Sequence, residues 1–345
     1  MNSVLTRRRL LRVLTGVLFI LAAPALLALA ERVSFLLPTN LVFLTLSAIA
    51  ATGLVLIMGF AGQVSIGHAA FYGIGAYATA LGTTNWGLSP ILALLIGMVA
   101  SGLTAAVLGL AVFRLSGHFL AMGTLAFGLF FFYLVVFAAG TTGGSAGTGG
   151  IPKLAMGATY LRSDTSMFLL AWGILGLGIL VAHNIVDSKT GRALRATGAS
   201  EVAAACSGVE VVRAKVGVFV VGALYAAVAG SLYAHTVTYI APDAFGLLTS
   251  IQFLVIATVG GLRSVWGALV GALFVTLVTE GAREIVPLVV KGASGPYEIA
   301  VYGILLVAVL VAFRKGLADF VVDWASARRA GASSSQTETA SADAL

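Results

Sequence analysis

The chain is poor in charge and in proline and has a single cysteine, and each scarcity limits what it can be. Of its 345 residues, 10% are charged and 59% are apolar, whereas a soluble domain carries roughly 25% charged residues. The missing charge indicates that most of the surface faces lipid. Because Cys206 is alone, no disulfide framework can form, and the four histidines lack the spacing of a metal site. The net charge of +7 is first a topology signal in such a protein, so it does not indicate nucleic-acid binding.

Apolar runs without an interior charge predict membrane-spanning helices, since about 20 apolar residues cross a bilayer as a helix. The alternation that marks a transmembrane barrel is absent. We therefore predict an all-α, polytopic membrane protein with ten transmembrane or partly re-entrant helices; the runs Ile66–Leu81 and Leu247–Val259 are short enough for re-entrant or broken helices. The predicted spans are Val13–Ala30, Asn40–Met58, Ile66–Leu81, Ile91–Phe113, Phe119–Ala139, Met167–Ala182, Val216–His235, Leu247–Val259, Val265–Glu280 and Ile299–Phe313.

Positive charge sets the predicted orientation. With the N-terminus inside, fifteen of the 20 Lys and Arg residues fall on the cytoplasmic side and five outside, as the positive-inside rule requires. This predicts a cytoplasmic basic N-terminus (1–12), a transmembrane domain (13–315) with an external glycine-rich loop (140–165) and a cytoplasmic loop (187–215), and a largely disordered cytoplasmic tail (316–345). Alternatively, the first run is a secretory signal cleaved after Ala28-Leu29-Ala30.

The predicted spans hold no Asp, Glu, Lys or Arg near their centres, and His68 is the main ionisable residue inside one. An ion-coupled carrier normally keeps such groups there, although backbone carbonyls can also bind sodium. Gly140–Gly150 is glycine-rich but lacks the phosphate-binding pattern GxxxxGK[ST]. It is interpreted as a flexible external loop or as a contact surface for an external partner. A transport activity would therefore draw its energy from a partner.

Asp187–Lys215 is the one long polar, basic stretch inside the apolar region. Thr190–Thr197 predicts a short helix closed by Gly198. Ser200 is the predicted N-cap of a second helix that ends at Gly208, with Glu201 in its first turn, where the helix dipole favours an acid. Its apolar stripe consists of Val202, Cys206 and Val209. One interpretation is an interfacial helix on anionic lipid; we favour a docking surface for a protein, because small residues anchor poorly in lipid.

Gly59–Gly82 reads GFAGQVSIGHAAFYGIGAYATALG. Glycine recurs too often for an isolated helix, since each costs about 0.8–1.0 kcal/mol relative to alanine. Two interpretations stand side by side: close helix packing with satisfied polar groups, or the lining of a translocation pathway. The pathway candidates are Gly62, Gln63, Ser65, Gly67, His68, Phe71, Gly75 and Tyr77.

The run GQVSIGHAAFYGIGAYATA resembles the signature of the branched-chain amino-acid ABC-transporter permease family, of its longer subunit type. Four further stretches agree in order and spacing, over about residues 40–315. They are TGGSAG at Thr142–Gly147, GRALRATGASEVAAACSGV at Gly191–Val209, TYIAPDAF at Thr238–Phe245 and GGLRSVWGALVGA at Gly260–Ala272. The sequence departs from the family at Arg263 and Ala268, and by one residue in the Glu201–Gly208 spacing.

The resemblance implies a pore-forming subunit of a bacterial inner-membrane importer for leucine, isoleucine and valine, with no ATPase site or cofactor of its own. It implies four kinds of partner: a second permease, two cytoplasmic ATP-binding subunits that bind ATP, a periplasmic solute-binding protein and membrane lipid. It also implies that the 187–215 loop contacts the ATPase through Gly191, Arg192, Arg195, Glu201, Ala204 and Gly208. Urea or short amides are alternative solutes, and an ion-coupled carrier is the alternative class.

Overall fold

A computed structural model describes residues 19–29, 37–113, 118–156, 159–160 and 163–289, together with residues 303 and 308. Three predicted parts of the chain lie outside the described residues: the N-terminal segment (1–12), the tail (316–345) and nearly all of the last span. The helices are α1 (Phe19–Leu29), α2 (Pro38–Val55), α3 (His68–Thr84), α4 (Pro90–Val112), α5 (His118–Phe137), α6 (Ala139–Thr142), α7 (Asp164–Asp187), α8 (Lys189–Ala199), α9 (Glu201–Cys206), α10 (Val211–Val237), α11 (Leu247–Gly260) and α12 (Gly267–Val289).

Four two-residue strands are the extended elements of the described ranges: β1 (Thr148–Gly149), β2 (Ala155–Met156), β3 (Thr159–Tyr160) and β4 (Tyr239–Ile240). β1 pairs antiparallel with β4, and β2 pairs antiparallel with β3. The all-α class predicted from the sequence is therefore confirmed, since these strands occupy only loops between helices.

Six helices in the described part are long and apolar enough to cross a membrane. They are α2 with the π-helical turn that continues it to Phe60, α4, α5, α7, α10, and α11 with the turn before it. The predicted count of ten is thus approximate. Three further predicted spans correspond to shorter helices: the apolar helices α1 and α12, and α3, which has 17 residues. The apolar part of α12 ends at Gly281, one residue after the predicted end of the ninth span at Glu280, and the helix itself continues to Val289.

At the centre of the bundle, α10 packs against both α2 and α3, and its backbone lies in close contact with theirs. A Cβ atom added at Gly53 would lie 2.7 Å from the carbonyl oxygen of Gly222, and one added at Gly75 would lie 2.1 Å from that of Ala227. Without a hydrophobic drive between helices in lipid, such close contact of small residues supplies the packing. The glycines of the predicted signature therefore hold α3 against α10.

The outer helices carry the apolar surface that the composition implies. On α4, Val99, Leu103 and Val107 follow one another at helical spacing and are each more than 60% exposed. Residues on the opposite face of α4, including Ala93 and Ala105, are fully buried against the centre of the bundle. A soluble protein rarely exposes a contiguous apolar stripe of this kind, so these faces suit contact with lipid.

Candidate functional site

The segment between α7 and α10 folds as two short helices, and their caps explain where each begins. Ser188 and Ser200 are the N-caps of α8 and α9; their hydroxyls accept hydrogen bonds from the N–H groups of Gly191 and Ala203. The predicted cap at Ser200 is thus confirmed. The predicted end of the first helix at Gly198 is wrong by one residue, because α8 continues to Ala199. We call the end of the bundle that carries α8 and α9 the loop end.

The residues predicted to couple the loop to a partner fall into a buried and an exposed set. Gly191 is buried, and a Cβ atom there would lie 2.1 Å from the carbonyl oxygen of Val186, so it allows α8 to start tight against α7. Ala204 is buried. Arg192 and Arg195 are exposed, and their guanidinium groups donate to the last carbonyl groups of α7, which also compensates the helix dipole there.

At the end of α9 the chain turns through a left-handed residue. Gly208 has a φ of +80°, a conformation that glycine adopts without the steric cost of a side chain. The N–H of Val209 donates to the carbonyl of Ala204, which closes the helix. The prediction that Gly208 ends this helix is therefore confirmed, while its predicted contact with an ATPase stays a prediction.

Glu201 makes an ion pair within the chain. Its Oε1 lies 2.5 Å from Nζ of Lys215 on α10; the lysine side chain is 3% exposed and the glutamate side chain is 52% exposed. A buried ammonium group requires such a partner, because an unpaired buried charge is strongly unfavourable. The pair therefore ties α9 to the first turns of α10, and the remaining carboxylate surface stays open to solvent.

The predicted apolar stripe of α9 faces outward. Val202 is 75% exposed and Cys206 is exposed, while Val209 is half-buried. Beside it lies a shallow, mainly apolar groove of about 590 Å³, between the end of α4 and the start of α10. Its lining residues are Leu110, Ala205, Glu210, Val211, Val212, Arg213, Val216 and Gly217. The loop end thus presents apolar surface that the described chain does not cover.

The signature segment begins with an interruption between two helices. α2 continues as a π-helical turn, Leu56–Phe60, a form that is rare and is found often at functional sites. Residues 61–67 are mostly non-helical, and α3 begins only at His68. The ring nitrogen Nε2 of His68 lies 3.1 Å from the carbonyl oxygen of Ala50, more than two turns before Phe60. We call residues 61–67 the inter-helix segment.

Side chains from two other helices hold the inner end of the inter-helix segment. The hydroxyl of Thr124 on α5 accepts from the N–H of Ile66, and that of Ser250 on α11 accepts from the N–H of Ala69. These N–H groups would otherwise be unpaired at the start of α3, since the first N–H groups of a helix have no partner within it. A Cβ atom at Gly67 would lie 1.9 Å from the carbonyl oxygen of Thr124, so α5 contacts this backbone directly.

The loop helices contact the outer end of the same segment. A Cβ atom built on Gly62 would lie 3.2 Å from Cα of Gly198 on α8, and one on Gly198 would lie 3.1 Å from the carbonyl oxygen of Phe60. Gly62 itself has a φ of +66°. On another side, a Cβ atom at Gly59 would lie 1.8 Å from the carbonyl oxygen of Leu262, between α11 and α12. The predicted loop and the predicted pathway residues are thus in contact.

The predicted pathway candidates are mostly buried inside the bundle. Gly62 is exposed, whereas Gln63, Ser65, Gly67, His68, Phe71, Gly75 and Tyr77 are buried. For Gly67 and Gly75 the close backbone contacts fit the packing interpretation. Gln63, Ser65 and Tyr77 have buried polar atoms for which the described part of the chain offers no hydrogen-bond partner. Tyr77 lies in an aromatic cluster with Phe131 and Phe245.

The glycine-rich loop at the opposite end has a defined conformation. β1 pairs with β4, the N–H of Ile151 donates to the carbonyl of Thr238, and Nδ1 of His235 lies 2.8 Å from the carbonyl oxygen of Pro152. Thr148 and Gly149 of this stretch are thus paired with the segment before α11, while the interpretation of Gly140–Gly150 as a flexible loop stays a prediction. Glycines at left-handed φ allow the chain to fold back onto the segment before α11.

Three side chains that make contacts at the candidate site are not predicted from the sequence: Lys215, Thr124 and Ser250. A lysine directly before an apolar run usually marks the membrane surface, so the sequence around Lys215 does not signal its burial or its pairing with Glu201. The two hydroxyl residues lie in apolar helices, where serine and threonine also bond to their own helix, so their sequence carries no signal of an inter-helix contact.

Comparison with known proteins supports the resemblance. The family described as "Branched-chain amino acid transport system / permease component" matches residues 37–310. The chain is 27% identical over 288 residues to the "High-affinity branched-chain amino acid transport system permease protein LivM" of Salmonella typhimurium, and equally to that of Escherichia coli. The match covers 77% of this chain and 66% of each relative, so the chain spans just under two thirds of the relatives' length. No solved structure matches. The chain belongs to the family of branched-chain amino acid transport system permease components.

Proposed function

We propose that the chain is the membrane-spanning permease subunit of an ABC importer and forms, with a second permease, a pathway for leucine, isoleucine and valine. The relatives are described as permease proteins of high-affinity branched-chain amino acid transport. The buried interior of α2, α3 and α10 is largely uncharged, which suits an apolar side chain. A periplasmic binding protein delivers the solute and supplies much of the selectivity.

The observation that carries the proposal is the exposed face of α9 on a loop fixed to the bundle. Val202 is largely exposed, whereas Ala204 is buried and the Glu201–Lys215 pair joins the same helix to α10. An ATP-binding subunit docked on this face can move α10 as it opens and closes. Such a partner shifts the equilibrium between two states of the bundle only through contacts that differ between them.

The proposed orientation places the loop end in the cytoplasm of a bacterial inner membrane. The positive-inside charge distribution supports it, since the loop end carries Arg192, Arg195 and Arg213. Both chain termini then lie in the cytoplasm.

The test is purification of the complex from its native membrane, followed by reconstitution with the solute-binding protein. We expect an ATP-binding subunit to co-purify, and leucine uptake to require ATP and all subunits. Gradient-driven uptake by this chain alone would indicate an ion-coupled carrier, and uptake without ATP would indicate a passive channel. Uptake of urea in place of leucine would retain the class and correct the solute.

A further inference from the structure

We propose that the inter-helix segment, residues 61–67, is the gate at the loop end of the pathway, and that α8 holds it closed through the contact between Gly198 and Gly62. That this segment lies on a translocation pathway rests on the proposed function, whereas the contact between Gly198 and Gly62 is present in the structure. The gate couples the loop helices, where a partner binds, to the interior of the bundle without any intervening element.

Ala61, Gln63, Ser65 and Gly67 of the inter-helix segment are buried although the segment is mostly not helical, whereas Gly62 and Val64 are exposed. Non-helical backbone at membrane depth is tolerated where it is packed in protein or lines a water-filled cavity. Here it connects the π-helical end of α2 to the start of α3, and Gln63 and Ser65 are both buried. A break of this kind gives the chain a short section that can move without unwinding either flanking helix.

Unpaired polar atoms make the closed arrangement easy to leave. Both amide atoms of Gln63 and the hydroxyl of Ser65 are buried without a hydrogen-bond partner among the described residues. Burial of an unpaired polar group is unfavourable, and exposure to water or to a polar solute removes that penalty. Opening would therefore hydrate these side chains and place them where a solute's amino or carboxylate group passes.

The two ends of the segment are held differently. The inner end is fixed by hydrogen bonds from Ile66 and Ala69 to hydroxyls of α5 and α11. At the outer end, the N–H of Gln63 donates to the carbonyl of Ile57 in the preceding turn, and the contact of Gly62 with Gly198 on α8 is backbone packing. We therefore expect the outer end to move and the inner end to act as the hinge.

The contact between the two glycines makes α8 the restraint. Because neither residue has a side chain, the α8 backbone reaches the segment directly, and Gly62 takes a left-handed conformation there. A side chain at Gly198 would point at the carbonyl oxygen of Phe60 and the amide nitrogen of Gly62. Displacing α8, by a partner or by a side chain, would thus release the segment.

The first experiment measures cysteine reactivity in the purified full chain in lipid nanodiscs. The native Cys206 is replaced by alanine, and Ser65→Cys reports on the gate, since Ser65 is 1% exposed. We expect slow reaction with a membrane-impermeant maleimide. Adding Gly198→Leu should raise the rate about tenfold, because the population of the open state increases. Gly173→Leu is the matched control, since no atom lies within 4 Å of a Cβ there, and should leave the rate unchanged.

Two further variants keep the result interpretable. Ser101→Cys, buried between α4 and α10, should stay unreactive with or without Gly198→Leu, which excludes general loosening. If Ser65→Cys does not fold, Ala61→Cys, also buried, takes its place. Equal rates with Gly198 and with Gly198→Leu would overturn the proposal, and so would an equal rise at Ser101→Cys.

The second experiment uses the complex with its ATP-binding subunits. We expect the reactivity of Ser65→Cys to change about tenfold between the nucleotide-free state and a state trapped with ATP, since the partner then holds α8 differently. ATP-driven uptake together with a reactivity that does not change would refute the gate and leave the proposed function standing. Absence of ATP-driven uptake would refute the proposed function, while the nanodisc experiment still decides the gate.

Discussion

The Nζ atom of Lys215 lies 2.5 Å from Oε1 of Glu201, and this ion pair joins the loop helix α9 to the central helix α10. The lysine is buried and the glutamate is half exposed, so the two members of the pair differ in what their loss leaves behind. Removing the carboxylate leaves a buried ammonium, whereas replacing the ammonium by a hydrocarbon leaves a carboxylate that water can solvate.

Glu201→Gln should therefore destabilise the protein more than Lys215→Met. We expect Glu201→Gln to lower the free energy of unfolding by about 1–3 kcal/mol. Solvent reaches the glutamate and keeps this loss below that of a fully buried pair. Lys215→Met should leave the free energy of unfolding nearly unchanged. The melting temperature in detergent measures both. The control is Glu210→Gln, whose ion pair with Arg213 is exposed on both sides and contributes less than about 1 kcal/mol.

Thr124→Val should destabilise the start of α3. The hydroxyl of Thr124 accepts from the N–H of Ile66, and its loss leaves that part-buried donor unpaired at a cost of about 1 kcal/mol. Thr104→Val is the matched control, because its hydroxyl bonds to the carbonyl of Ala100 within its own helix. The melting temperature should fall for Thr124→Val and stay nearly constant for Thr104→Val; equal values would show that the inter-helix bond contributes nothing.

The sequence predicts the helices well and their contacts poorly. Runs without charge mark the helices because the bilayer interior excludes charge, and Ser200 and Gly208 mark the limits of α9 because capping is a local interaction. The contact of Gly62 with Gly198 depends on the packing of distant segments. A glycine that lets a helix touch its neighbour and a glycine that only ends a helix look the same in sequence.

The start of α3 shows a second limit. The apolar run predicts a span from Ile66, yet the helix begins at His68, and the N–H of Ile66 bonds to Thr124 on α5, a contact that the sequence does not reveal. The buried position of Lys215 is a third case, since a lysine at the start of an apolar helix usually marks the membrane surface. Its burial follows from α9 folding back over α10, which propensity does not reveal.

Gly75→Ala should disrupt the centre of the bundle. The new Cβ atom would lie 2.1 Å from the carbonyl oxygen of Ala227 and 2.6 Å from its Cα, and backbone cannot give way as a flexible side chain does. We expect a loss of about 1–3 kcal/mol and a lower yield of folded protein in detergent. Gly173→Ala, which has open space around it, should be neutral or slightly stabilising, since alanine favours helix by about 0.5–1 kcal/mol.

Val202→Asp should separate partner binding from stability. Val202 is largely exposed on α9, so the change removes apolar contact area and buries a charge only when a partner covers it. We expect an unchanged melting temperature and about a tenfold weaker recovery of the ATP-binding subunit in co-purification, because a buried unpaired charge is strongly unfavourable.

Trp86→Asp is the control for that substitution. Trp86 is also exposed, but it follows α3 at the opposite end of the bundle, where the proposed topology places the outside of the cell. Its replacement should leave recovery of the ATP-binding subunit unchanged. Equal recovery with Val202 and with Val202→Asp would remove α9 from the docking surface, and the groove between α4 and α10 would then be the next surface to test by substitution at Val212.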